Sequence, residues 1–96
     1  MSREEKLRIF CYDVSCNKRR RKIAKCLEEV ASRVQYSVFE ARLSPNKLEQ
    51  TIDDISEYLK DSDNLRVYTI GKSGEKLSKV YGSGVPIDND SGFWLL

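Results

Sequence analysis

The residues best suited to chemistry are one aspartate and the cationic run that follows it. Asp13 precedes five consecutive basic side chains, Lys18-Arg19-Arg20-Arg21-Lys22. A carboxylate can hold a hard divalent cation such as Mg²⁺, which polarises a phosphoryl oxygen or activates water, and lysine and arginine bind phosphate. The combination suits phosphodiester chemistry. The structural alternative for Asp13 is a strand-end turn residue or a helix cap.

Histidine and cysteine chemistry is not indicated. The chain contains no histidine, which excludes Ser-His and Cys-His catalysis. Its cysteines, Cys11, Cys16 and Cys26, are odd in number and lack C-x-x-C spacing, which argues against a disulfide framework and a zinc site. Hydrolysis would have to rely on carboxylates and a metal ion, and we expect Mg²⁺ or Mn²⁺ as the cofactor.

Charge is distributed unevenly although the net charge is only +2. Residues 1–50 carry 12 Lys and Arg against 7 Asp and Glu, whereas residues 51–96 carry 5 against 8. A basic N-terminal half indicates a local anionic partner, such as the phosphate backbone of DNA or RNA, and the alternative is an ordinary solvated helix face. Phosphate contacts would give little sequence specificity and a strong salt dependence.

The bulk properties fit one globular domain over residues 1–96. The hydrophobic fraction is 40% and the charged fraction 33%, and a chain of this length supports a single core. No apolar run approaches the roughly 20 residues that a bilayer span needs, and Glu4 and Glu5 do not fit the basic start of a signal peptide. We therefore expect a cytoplasmic protein without membrane contact.

The elements that position the candidate residues follow from hydrophobic periodicity. Residues 7–12 are predicted to form a strand that ends at or near Asp13. Residues 18–31 show the apolar spacing of a helix, which Ser15 or Asn17 could cap. Asp13 would thus lie where a strand meets a helix start.

The pattern of strand and helix then repeats. Residues 33–43 are predicted to be extended, as two short strands or one bulged strand turning near Tyr36 and Ser37. A helix is predicted over residues 44–59 because it begins with Ser-Pro. Serine caps a helix, and proline suits the first helical position, where a backbone N–H would have no partner within the helix. Residues 65–70 are the clearest remaining strand.

The resulting order, β-α-β-β-α-β, favours an α+β ferredoxin-like sandwich, an antiparallel sheet with two helices on one face. The other face would be uncovered. We expect a homodimer through that sheet face, which would let two Asp13 carboxylates share one ion. Residues 71–92 are expected to be an irregular tail. The apolar residues 93–96 need cover from this chain or a second copy, and we expect the tail, 71–96, to pack on the partner subunit.

Four segments resemble the CRISPR-associated protein 2 family in order and spacing, over about residues 7 to 70. They are Tyr12-Asp13-Val14, Lys18-Arg19-Arg20-Arg21-Lys22-Ile23-Ala24, Arg33-Val34-Gln35-Tyr36-Ser37-Val38-Phe39-Glu40 and Arg66-Val67-Tyr68. The R-V-Q-x-S-V-F-E stretch is the most distinctive. The resemblance implies a dimeric ferredoxin-like protein that works with the CRISPR integrase in spacer acquisition, with Mg²⁺-dependent cleavage of RNA or DNA proposed for the family.

The resemblance also implies roles for single residues. The metal-binding and catalytic aspartate corresponds to Asp13. The nucleic-acid-binding positions correspond to Arg20 and Lys22, with Lys18, Arg19 and Arg21 beside them. Some members carry Arg where this chain has Lys22, and lysine keeps the charge but loses the two-pronged phosphate grip.

The remaining matched positions have competing interpretations. Arg33 is a phosphate ligand or a strand-edge ion-pair partner. Phe39 is a core or dimer-interface aromatic, with base stacking as the alternative. Tyr12 packs or hydrogen-bonds beside Asp13, with a direct catalytic role as the alternative. Ser37, like Tyr12 and Phe39, is expected to have a supporting or interface role.

Two functions agree with these residues. The first is a metal-dependent endonuclease in which paired Asp13 residues position metal and water. The second is an architectural DNA-binding adaptor that spaces two integrase units, with Asp13 a structural residue. A toxin-like ribonuclease is a third interpretation, disfavoured by the absence of histidine, and an inert ferredoxin-like regulator is the simplest alternative.

Overall fold

The computed structural model describes residues 5–60 and 62–81, which contain a four-stranded antiparallel sheet and three helices. The elements in chain order are β1 (Lys6–Asp13), α1 (Asn17–Glu28), β2 (Ser32–Gln35), β3 (Val38–Leu43), α2 (Pro45–Ser56), β4 (Asn64–Ile70) and α3 (Lys72–Leu77). The strand order is β2-β3-β1-β4. The predicted α+β ferredoxin-like fold is confirmed.

The two faces of the sheet separate along β1, because successive side chains of a strand point to opposite sides. Phe10 and Tyr12 belong to the core beneath the helices. Ile9, Cys11 and Asp13 alternate with them and therefore lie on the opposite face. The buried core comprises Phe10, Tyr12, Val14, Ile23, Ala24, Leu27, Phe39, Leu43 and Ile55.

The extended segment after α1 is divided as predicted into two strands. β2 and β3 are joined by a two-residue turn, residues 36–37, and their register shifts between Arg33 and Gln35. The backbone N–H of Tyr12 donates to the carbonyl oxygen of Ser37 at 3.1 Å. This hydrogen bond fixes the turn beside the end of β1.

The two long helices begin differently. For α2, Ser44 Oγ accepts a hydrogen bond from the backbone N–H of Lys47 at 3.2 Å and Pro45 is the first helical residue, as predicted. The predicted cap of α1 is wrong. Cys16 occupies the N-cap position without a side-chain hydrogen bond, and Asn17 is already helical. The helix also ends at Glu28, earlier than expected.

The prediction of an irregular tail from residue 71 onward is wrong for residues 72–77, which form α3. Glu75 is buried and forms an ion pair with Arg42 of β3. A Cβ at Gly74 would lie 2.9 Å from Ile70 Cγ2, so any other residue at this position would force the Ile70 side chain or α3 to shift. Residues 82–96, with the apolar end of the predicted tail, lie outside the described residues.

Within the described ranges, no helix has the length and apolarity to cross a bilayer.

Candidate nucleic-acid interface

Asp13 is the last residue of β1 and is exposed. It is paired with Asn64, the first residue of β4. Three residues, 14–16, separate it from the start of α1. The structure thus places the carboxylate at the end of a strand, beside the start of the cationic helix, as predicted.

The loop after Asp13 is held by a residue that the sequence did not single out, Asp63. Its Oδ2 accepts hydrogen bonds from Arg19 Nη2 at 2.6 Å and Nε at 3.2 Å, and from the backbone N–H of Lys60 at 2.9 Å. Its Oδ1 accepts from the backbone N–H of Ser15 at 3.4 Å. The carboxylate therefore joins the loop, α1 and the turn before β4.

The same contacts keep Asp63 ionised. Its side chain is only 2% exposed, yet its pKa is lowered. The main cause is the backbone N–H of Lys60; burial opposes it, and the hydrogen bonds from Arg19 and Ser15 and the Arg19 charge lower the pKa further. An acidic residue just before β4, the strand that pairs with the end of β1, was the only sequence signal for this role.

The five cations of the basic run do not share one environment. The guanidinium of Arg19 is bound to Asp63, and Arg20 Nη1 donates to the carbonyl oxygen of Val14 at 2.7 Å. Lys22 Nζ lies 5.9 Å from the ring centroid of Tyr58. The remaining two cations, Lys18 and Arg21, are exposed and form no ion pair with any described residue.

A cleft of about 360 Å³ lies between the start of α1 and the β2–β3 turn. We call it the arginine cleft, and its lining is Tyr12, Asn17, Arg20, Arg21, Ala24, Arg33, Tyr36 and Ser37. A neighbouring groove of about 560 Å³ shares Arg21, Ala24 and Arg33 with it and adds Lys18, Lys22, Lys25 and Glu28. The structure therefore brings Arg33 from β2 together with the cations of α1, although they are distant in sequence.

Arg33 lies over the core rather than away from it. Its Cζ is 5.0 Å from the ring centroid of Phe39, and its Nη2 is 3.9 Å from Glu28 Oε2. Both charged side chains are exposed, at 44% and 59%, so the ion pair is loose and screened by solvent. The guanidinium can therefore serve the arginine cleft as well as the strand edge.

Two aromatic residues support this edge from below. Phe39 is fully buried, and its ring stacks with that of Tyr12 at 6.3 Å between centroids. Burial is the main cause of the raised pKa of Tyr12; nearby Arg33 and Arg20 lower it and Glu28 raises it. The Tyr12 hydroxyl accordingly stays protonated at neutral pH. Phe39 is a core residue and has no free face for a base.

One described chain does not provide a complete magnesium site. Within residues 5–60 and 62–81, no three acidic or cysteine side chains form a potential metal-binding group. Asp63, a second described carboxylate near this edge, is occupied by its hydrogen bonds. Mg²⁺ takes octahedral oxygen coordination, so Asp13 alone would leave most positions to water or to a second chain.

The fold and this edge define a class, a small ferredoxin-like α+β protein with an exposed carboxylate beside a cationic cleft. The family model described as CRISPR associated protein Cas2 matches residues 6–76. The chain belongs to this family.

Individual relatives agree with that membership. A protein of Synechocystis sp. named CRISPR-associated endoribonuclease Cas2 2 is 40% identical over 77 residues, which cover 78% of this chain and 83% of the relative. The crystal structure of Streptococcus pyogenes Cas2 superposes with a TM-score of 0.69 at 27% identity, covering 79% and 99% of the two chains. A chain in a partial Cas6-RT-Cas1–Cas2 complex gives a TM-score of 0.70 at 31% identity, covering 78% and 83%.

Proposed function

We propose that this chain acts in CRISPR adaptation, with the Cas1 integrase, as an endonuclease that cuts phosphodiester bonds of RNA or DNA. The observation that carries the proposal is an exposed carboxylate, Asp13, close to a cation. Arg20 Nη1 donates a hydrogen bond to the carbonyl oxygen of Val14, the residue that follows Asp13. Relatives named endoribonuclease Cas2 support the nuclease activity, and a solved complex containing Cas1 and Cas2 supports the partner.

The cations of this edge would hold the substrate by its phosphates. Arg20, Arg21 and Arg33 line one cleft, and Lys18 lies in the groove that continues from it. Such contacts are independent of base sequence and release counterions, so binding would weaken steeply with salt. They would position a scissile phosphate without choosing the sequence around it.

A divalent cation, Mg²⁺ or Mn²⁺, would need ligands from two copies of the chain. Asp13 alternates with core residues of β1 and lies on the sheet face away from the core. A homodimer through that face would offer two Asp13 carboxylates to one ion. When bound, the ion would polarise a phosphoryl oxygen and supply an activated water.

A second candidate is the architectural adaptor, which would bind duplex phosphates and space two Cas1 units without cutting. It is favoured by the donor set of the described residues, among which no three acidic or cysteine side chains form a potential metal-binding group. The adaptor needs the cations of the arginine cleft but not the charge of Asp13.

Integration of new spacers in a reconstituted reaction with Cas1 separates the two candidates. The variants are Asp13→Ala, which removes the carboxylate, and Arg21→Ala, which removes a phosphate contact. If nuclease activity is needed, Asp13→Ala cuts no nucleic acid and integrates no spacer, although it still assembles with Cas1. If the adaptor alone is needed, Asp13→Ala integrates as well as wild type and only Arg21→Ala is impaired.

A further inference from the structure

Tyr36 is an aromatic residue that the fold does not use. It is 86% exposed at the tip of the β2–β3 turn, more than any other large apolar residue that the structure describes. No described residue forms a hydrogen bond or ring contact with it. Two-residue hairpin turns favour glycine, asparagine and aspartate, so turn geometry does not require a tyrosine here.

The position of Tyr36 is nevertheless well defined. The hydrogen bond from Tyr12 N–H to the Ser37 carbonyl ties the turn to the end of β1, and the turn forms one wall of the arginine cleft. Arg20, Arg21 and Arg33 line the same cleft. The turn that carries the exposed Tyr36 thus lines the same cleft as three arginines.

We propose that Tyr36 is a base-stacking residue at the edge of the arginine cleft: one unpaired base stacks on its ring while the adjoining phosphates lie on the arginines. This inference rests on the proposed function and adds to it a residue that contacts a base. The bases of a duplex are stacked on one another inside the double helix and cannot stack on a protein side chain. Unpaired bases stack on aromatic rings with little sequence preference. Phosphate contacts alone would bind both forms.

The test is the affinity of the full chain for a labelled single-stranded oligonucleotide and for a duplex of equal length, by fluorescence anisotropy at fixed salt. Tyr36→Ala is expected to weaken single-strand binding about 5- to 150-fold, the range given by the loss of one base-aromatic stack. Duplex binding should change less than about twofold. Tyr36→Phe should bind the single strand like wild type, because stacking needs the ring and not the hydroxyl.

Val34→Ala is the matched control. Val34 is 51% exposed on β2, near Tyr36, and its truncation removes apolar surface but no aromatic ring. It should leave both affinities unchanged. Circular dichroism of each variant confirms that an exposed substitution has not altered the fold.

Three results would overturn the inference. The first is single-strand binding by Tyr36→Ala that equals that of wild type. The second is loss of Cas1 binding by Tyr36→Ala with unchanged nucleic-acid binding, which would assign the ring to a protein contact. An equal loss on both substrates would mean that the ring holds no unpaired base. In all three the proposed function stands, whereas wild-type protein that binds neither nucleic acid would overturn both.

Discussion

Asp63 Oδ2 accepts hydrogen bonds from both Nη2 and Nε of Arg19, 44 residues away in the chain, at 2.6 and 3.2 Å. The same carboxylate accepts from the backbone N–H of Ser15, two residues after Asp13. The start of α1, the loop that follows β1 and the turn before β4 are therefore fastened at one point. One cation of the basic run is used to hold the site rather than to bind a ligand.

Asp63→Asn should lower the free energy of unfolding at neutral pH, because Arg19 loses its anionic partner. The pKa of Asp63 is lowered in the folded protein from its ordinary value of 3.8. The stabilisation of the folded state by ionised Asp63 is therefore fully present above about pH 4 and is lost as the pH falls through the pKa of Asp63 in the folded protein. Urea unfolding of both proteins should give a difference that is large at about pH 7 and small at about pH 3.

The control for that measurement is Asp53→Asn, an exposed carboxylate on α2. It should have little effect at either pH. A stability difference between wild type and Asp63→Asn that is the same at both pH values would contradict the role given to the ionised Asp63.

The cysteines should differ in reactivity. Backbone N–H groups at the start of α1, that of Arg19 first, lower the pKa of the Cys16 thiol, whereas burial raises that of Cys26. Because the thiolate is the nucleophile, iodoacetamide at about pH 7.5 should modify Cys16 faster than Cys26, as followed by peptide mass spectrometry. In urea the two should react at similar rates. Faster modification of Cys26 in the folded protein would be inconsistent with these environments.

Arg21→Ala should weaken nucleic-acid binding and reduce its salt dependence. Arg21 is exposed, lines the arginine cleft and makes no ion pair with a described residue. Loss of one phosphate contact should reduce the slope of log K against log salt by about 0.9 for a duplex. Lys76→Ala on α3 removes an exposed cation outside the cleft and serves as the control. Equal effects of the two variants would point to general charge attraction instead.

Phe39→Ala should destabilise the protein by about 3–5 kcal/mol, because it leaves a cavity beneath Tyr12 in the core. Its ring is fully buried, so Phe39→Leu, which keeps most of the volume, should lose less stability and bind nucleic acid like wild type. Chemical denaturation and anisotropy check the two statements. Weakened nucleic-acid binding by a folded Phe39→Leu would instead give Phe39 a direct part in recognition.

Local sequence signals predicted much of the fold. The Ser44-Pro45 helix start and the turn near Tyr36 depend on residues close in sequence, and both were confirmed. The cap of α1 was predicted wrongly: Cys16 occupies the N-cap position without a side-chain hydrogen bond, and the helix already includes Asn17. The helix α3 was missed because its anchor, the Arg42–Glu75 ion pair, joins two elements that only the sheet brings together.

The candidate site divides in the same way. The position of Asp13 at the end of β1 followed from the strand pattern. The arginine cleft did not, because it forms only when the β2–β3 turn is fixed against α1.

Cleavage of labelled single-stranded RNA and double-stranded DNA by wild type and Asp13→Ala, with Mg²⁺ or EDTA and with binding recorded at the same salt, tests the proposed nuclease most directly. Asp13 is exposed and outside the core, so the variant should fold. We predict Mg²⁺-dependent cutting by wild type that disappears in Asp13→Ala while binding is retained. Binding by both proteins without cutting by either would contradict the nuclease and leave the architectural role.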